Sequence, residues 1–163
     1  MTRPMTVSDS IVVNADAATL YDQISDVTRM AAWSPENKGA VVIDPRGEAY
    51  VGMQFDGRNK RGRANWTTRC TVTRAEPGEL FEFRVHRIGL RTPRINGAIA
   101  TWQYRFEIVD GGTRVTETWT DGRKGWPDIA AKAFDKVATG TTFHEFQERN
   151  IRKTLSNLQK AFA

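Results

Sequence analysis

The clearest pattern in this chain is alternation with a period of two. Trp102, Tyr104, Phe106 and Ile108 fall on one side of a strand, and Thr101, Gln103, Arg105 and Glu107 fall on the other. A strand with one buried face and one wetted face reads this way, because successive side chains point to opposite sides. Phe81, Phe83 and Val85 repeat the pattern against Glu82, Arg84 and His86. Similar readings place strands at 7–14, 40–44, 53–60, 65–74, 80–87, 99–109 and 113–121. Glu76-Pro77-Gly78-Glu79 and Asp110-Gly111-Gly112 carry tight-turn chemistry between neighbouring strands, so the strands are expected to pair antiparallel.

Helical spacing replaces alternation in two places. After the first strand, Ala15-Asp16 opens a short helix whose apolar residues are Ala17, Leu20, Tyr21 and Ile24, and Ser25-Asp26 breaks it. A second short turn through Val27 and Met30 ends at Trp33-Ser34-Pro35, where proline forbids continuation. From Trp126-Pro127-Asp128 onward the pattern is helical to the end, with a candidate kink at Gly140 and the Thr141-Thr142 pair. Phe143, Phe146, Ile151, Leu155, Leu158 and Phe162 form its apolar stripe. The predicted fold class is α+β: a curved antiparallel sheet of about seven strands wrapped around a long C-terminal helix, with two short helices after the first strand. A sheet that wraps one helix leaves concave space, a natural site for an apolar ligand.

The composition is compatible with that picture. With 163 residues and no linker-like break, the chain is expected to form one domain over residues 1–163. Five Trp, eight Phe and three Tyr supply the bulk of a core despite a modest hydrophobic share of 39%. Residues 1–9 hold no apolar leader, and no long apolar run occurs anywhere. Neither a membrane span nor integral membrane association is therefore expected, and the protein is expected to be cytoplasmic. Cys70 is the only cysteine, so no internal disulfide can form.

Order and motif together carry a family resemblance. The succession of strand, two short helices, six strands and a long helix, with Ser25-Asp26-Val27 and Trp33-Ser34-Pro35-Glu36, resembles the START-like polyketide cyclase/dehydrase and lipid transport superfamily (SRPBCC). Val115-Thr116-Glu117-Thr118-Trp119 is similar to a segment of actinobacterial members. The resemblance covers nearly the whole chain. It implies a helix-grip fold with a deep cavity between sheet and C-terminal helix, used across the family for lipids, sterols, polyketides and other apolar molecules. Some members cyclise or aromatise their substrate and many only bind it, so the resemblance leaves carrier and enzyme both open.

Glu117 is the candidate catalytic residue, since alternation from Val115 to Trp119 turns it inward. Two roles are open to it. A carboxyl in an apolar cavity has a raised pKa and can serve as general acid or base; alternatively it pairs with an arginine or joins a buried hydrogen-bond network. The candidate ligand-binding residues are Phe55, Trp66, Phe83, Trp102 and Tyr104 on the strands, with Trp119, Phe143 and Phe146 towards the helix. Asn59 and Thr68 are placed to orient a ligand oxygen. Each aromatic can equally be ordinary core, and Trp33, near one end of the sheet, is a lid over the cavity by family resemblance or a structural plug.

Other chemistry lacks support. His86 lies on a polar face, His144 stands beside the stripe, and neither has carboxylates at metal-ligand spacing, so no metal is expected. No nucleophile elbow, GxGxxG or P-loop occurs, and no cofactor is expected. Cys70 reads as a small buried hydrophobe.

The net charge of +5 acquires a direction in an antiparallel meander. Arg58, Lys60, Arg61 and Arg63, the loop at 87–94, and Arg123-Lys124 would emerge at one end, opposite Glu76, Glu79 and Asp110. That rim either attracts an anionic ligand or carrier or simply solubilises the hairpin tips. The sequence thus points to a protein that binds a hydrophobic small molecule, lipid, fatty acyl or polyketide-like, which can carry an anionic group. The alternatives are a polyketide cyclase, aromatase or dehydratase in the same cavity, and a basic module for membranes or nucleic acid. No specific nucleic-acid partner is expected, and a homodimer is left open.

Overall fold

Seven strands pair into a single antiparallel sheet in the order β1-β7-β6-β5-β4-β3-β2. The computed structural model describes residues 4–93, 95–139 and 141–163. In chain order the elements are β1 (Thr6–Val13), α1 (Ala17–Ser25), a 3₁₀ turn (Val27–Ala32), β2 (Asn37–Ile43), β3 (Gln54–Arg61), β4 (Ala64–Glu76), β5 (Leu80–Gly89), β6 (Ile95–Val109), β7 (Gly112–Asp121), α2 (Asp128–Thr139) and α3 (Phe143–Ala161). From β2 to β7 the sheet is a simple meander, and β1 returns to pair with β7.

Local chemistry sets the boundaries. Asp16 caps α1 by accepting from the Thr19 amide at 2.6 Å, and Asp26 caps the 3₁₀ turn through Thr28. Between β6 and β7, Gly112 has φ +137, and a Cβ there would lie 2.0 Å from the Val13 carbonyl oxygen. Only glycine lets β1 end so close to that hairpin. Register shifts at Asn37/Gly39, Arg69/Cys70, Val72/Arg74 and Val85/Arg87 interrupt the ladders. Such bulges bend strands, and they curve this sheet.

The inward face matches the alternation closely. Phe81, Phe83, Val85, Tyr104 and Phe106 are buried, and Tyr21 of α1 packs edge-on against Phe81 and Phe106 at centroid distances of 6.4 and 5.8 Å. Ile108 is a correction: assigned to the buried face, it is 86% exposed. The cause is strand length, because β5 begins at Leu80 opposite Arg105, so Ile108 projects past the part of β6 that has a neighbour on that side.

The C-terminal region also differs from a single kinked helix. It is two helices, and Thr142, with extended dihedrals, caps the second by accepting from the Glu145 amide. Gly140, the other half of the expected kink, lies outside the described residues. On α3 the buried positions are Gln147, Asn150, Ile151, Thr154, Leu155 and Leu158. Phe143 and Phe146 are only half-buried. The main sheet contacts of α3 are with β1 and β7, and α1 covers the parts of β5 and β6 around Phe81 and Phe106, which leaves the rest of the inward face from β3 to β6 without a helix directly upon it.

Leu155 is 2% exposed in the core formed by α3 and the sheet. Leu155→Ala is expected to lower unfolding free energy by about 2 to 5 kcal/mol, measured by urea denaturation. An unchanged midpoint would mean that α3 is not seated on the sheet.

Candidate functional site

The inward face from β3 to β7, where α1 does not cover it, borders a cavity of about 290 Å³ together with α3 and α2. Phe55, Phe83, Trp66, Trp102 and Trp119 line it, as do Phe143 and Phe146 from α3. Phe55 and Phe83 meet edge-on at 5.2 Å between centroids. Gly57 keeps the floor open beside Thr68, whose Oγ1 would lie 3.3 Å from any Cβ placed there. Asn59, Thr68, Tyr104 and Glu117 are also in the lining. Trp33 is the exception among the candidates. It is buried in the core and its carbonyl accepts from Asn157 at 2.9 Å, but it does not line the cavity.

Glu117 is 1% exposed. Its Oε1 accepts from the Tyr104 hydroxyl at 2.9 Å, and no arginine pairs with it among the described residues. Burial raises its carboxyl from 4.5 to about 8, with the Tyr104 bond opposing the rise and the charge of Glu36 adding to it. Burial likewise holds the Tyr104 phenol protonated, its pKa well above the usual value. Cys70 is buried in the same lining, and desolvation pushes its thiol up to about 12, so it stays a neutral wall residue.

Several lining residues were not foreseen. Glu36, between Pro35 and β2, has its carboxyl raised to about 7 by burial, with Arg61 pulling it down. Asn150 donates to Gln147 at 3.0 Å and to Glu36 at 3.5 Å, tying α3 to the segment before β2. The signal for Gln147 and Asn150 was present in the spacing, since they share one helical face with Ile151 and Leu155. Glu36 follows no periodicity. Ile88 turns inward against simple alternation because of the bulge at Val85/Arg87.

One end of the cavity is bounded by α2. Arg123, at the exit of β7, bonds Asp121 at 2.8 Å and Asp135 of α2 at 2.7 Å, with all three side chains 2–3% exposed. Its guanidinium lies 4.3 Å from the Phe143 ring centroid, within cation–π range. Trp126, Phe134 and Phe143 continue as an edge-on aromatic row. Arg123 therefore corrects the expected basic rim: it is a buried clasp and not a rim charge. The meander does bring Arg63, Arg91 and Lys124, all exposed, to one end of the sheet; Arg94 lies outside the described residues. Arg61 stacks over Phe146 at 4.2 Å and faces a shallow outer cleft with Lys38, Lys60 and Arg149.

Elsewhere, His86 bonds Thr71 at 2.7 Å, and His144 lies 3.4 Å from Glu148 along α3. Among the described residues no helix is long and apolar enough to cross a membrane, and no cluster of three His, Cys, Asp or Glu is arranged to hold a metal.

Residues 4–163 match the family described as polyketide cyclase / dehydrase and lipid transport, and the chain belongs to it. A search of curated proteins finds no match. Among solved structures, the polyketide-cyclase-like protein Cgl2372 from Corynebacterium glutamicum is similar at 28% identity and a TM-score of 0.60, over 99% of this chain and 93% of that one. Protein Ms6760 from Mycobacterium smegmatis shares the fold at 16% identity and a TM-score of 0.67, covering 98% and 91%. The di-domain ARO/CYC StfQ from the steffimycin biosynthetic pathway also shares it, at 16% identity and a TM-score of 0.69, over 98% of this chain and 50% of that one.

A carboxyl whose pKa is raised by folding stabilises the fold while protonated, and that contribution is lost as pH rises through the folded pKa. For Glu117 the window runs from its ordinary value of 4.5 to about 8. The stability advantage of wild type over Glu117→Gln is expected to shrink from pH 5.5 to pH 8, by about 1.4 kcal/mol per pH unit at most. Chemical denaturation at the two pH values measures it, and a constant difference would place the carboxyl in solvent.

Proposed function

We propose that this member of the polyketide cyclase/dehydrase and lipid transport family binds a hydrophobic small molecule in the cavity between sheet and α3. The supporting observation is a lining of aromatic side chains from β3 to β7 and α3 that also holds the buried polar groups Glu36, Glu117 and Asn150. Mostly apolar walls with a few directed polar atoms are the usual make-up of a small-molecule site. Trp66, Trp102 and Trp119 all contribute to the lining, so each indole reports on an occupant. Titration with the neutral probe N-phenyl-1-naphthylamine is expected to raise probe emission and to quench tryptophan, and lauric alcohol is expected to reverse both. Absence of any response to apolar probes would falsify the container reading.

Glu117 favours a second reading, in which the cavity is also a reaction site for a polyketide-like compound. Its Oε1 is held by Tyr104 and its Oε2 has no partner among the described residues. A pKa near 8 lets one carboxyl take a proton from carbon and return it to oxygen near neutral pH. Cyclisation, aromatisation and dehydration of a poly-β-keto chain all need such transfers. Glu117→Gln is then expected to retain probe affinity within about twofold while turnover falls by about 10²-fold or more. Equal turnover by the two proteins would remove Glu117 from the chemistry and leave the binding reading intact.

A further inference from the structure

Among the described residues, four shielded side-chain polar atoms find no hydrogen-bond partner in the protein: Glu36 Oε2, Arg61 Nη1, Glu117 Oε2 and Asn150 Oδ1. Three of the four belong to residues that line the cavity. Glu117 and Asn150 are 1% and 6% exposed, so solvent does not reach them freely. Unpaired buried polar atoms are costly, and three of them meeting one apolar space define a polar contact that an occupant can complete.

The charge of the lining narrows that occupant. It holds two carboxyls and, among the described residues, no lysine, arginine or histidine. Arg61 stacks over Phe146 and lines the outer cleft, which shares Glu36, Phe146 and Asn150 with the cavity, and its charge is spent on Glu36, whose carboxyl it pulls down. A carboxylate brought into the cavity would meet two acids and no cationic side chain in the described lining, and desolvating it there is unfavourable. An ammonium group would have to be stripped of water, and to pair with Glu117 it would have to ionise a carboxyl that burial shifts towards its neutral form. A ketone only accepts, and leaves Asn150 Oδ1 unpaired. A hydroxyl both donates and accepts: it can donate to Asn150 Oδ1 or Glu36 Oε2, and accept from a protonated Glu117.

We propose that the cavity selects an uncharged, apolar ligand whose buried end carries an alcohol or phenol hydroxyl set against Glu36, Glu117 and Asn150, and that it rejects carboxylates. The proposal rests on the container reading above. It reverses the anionic character that the overall charge suggested: the positive charge is outside, and the interior is acidic.

The test uses four probes of one shape: 2-naphthol, 2-methoxynaphthalene, 2-naphthoate and 2-naphthylmethylamine. Each is titrated at pH 6.5 into the full-length protein, and the indole N–H resonances are followed by NMR. 2-Naphthol is expected to bind about tenfold more tightly than its methyl ether, which lacks the donor, and the carboxylate and the amine more weakly than either. Glu36→Met removes the unpartnered Oε2 together with the long Asn150 bond to Oε1, while the Asn150 amide keeps its bond to Gln147, and urea denaturation beside wild type checks that the variant is folded. It should reduce the naphthol preference by several-fold and leave the ether unaffected. Equal affinity for naphthol and ether, or tightest binding of the carboxylate or the amine, overturns the hydroxyl assignment while the container reading stands. If none of the four shifts an indole resonance at millimolar concentration, the container reading itself fails and this inference with it.

Discussion

A single helix cannot cover a seven-stranded sheet, and most of what this protein presents to a ligand follows from that mismatch. α3 seats itself against β1 and β7, where Ile151, Leu155 and Leu158 complete a close-packed core. The inward faces of β3 to β6 still carry large aromatics that must avoid water. Curvature from the bulges brings those faces around towards α3, and α2 covers part of what remains. The cavity is thus the part of the concave surface that the helices do not reach, and its aromatic lining is the same inward residue set that makes core elsewhere in the sheet.

Desolvation governs the charges in two opposite ways. Arg123 is buried between Asp121 and Asp135, where pairing offsets the loss of water and links β7 to α2. Glu36 and Glu117 make no salt bridge among the described residues and are shifted towards the neutral form by burial, which Arg61 only partly opposes at Glu36. The first arrangement ties a covering helix to the sheet; the second leaves proton-bearing groups facing the cavity. Both arise from the same penalty on an isolated buried ion. They differ in whether a close ion pair forms.

These two effects link the binding and reaction readings. An apolar container becomes selective only through the polar atoms in its lining, and here the carboxyls and the Asn150 amide are the ones with an atom left unpartnered among the described residues. The same carboxyl that can orient a hydroxyl is also able to move a proton, so binding and chemistry would share Glu117. Family membership is compatible with either, since the fold accommodates carriers and cyclases alike.

Much of the architecture was legible in the chain because it depends on short-range rules. Alternation located the strands and the inward set Phe81, Phe83, Tyr104 and Phe106, and turn chemistry at Glu76 to Glu79 and Asp110 to Gly112 made the meander readable. Glu117 was placed inward by parity alone, which is a local property of a strand. What tertiary structure decided is every relation between elements distant in sequence. Glu36 and Asn150 are 114 positions apart and meet only because α3 crosses the segment before β2. Tyr104 holds Glu117 because β6 and β7 pair in that register. Arg123 looked like a surface charge until Asp135 was brought to it by α2, and Ile108 looked buried until β5 proved too short to flank it. Periodicity tells which side of an element a residue occupies; only packing determines what stands opposite, and so the pKa, partner and chemical role of a buried group are set by the fold.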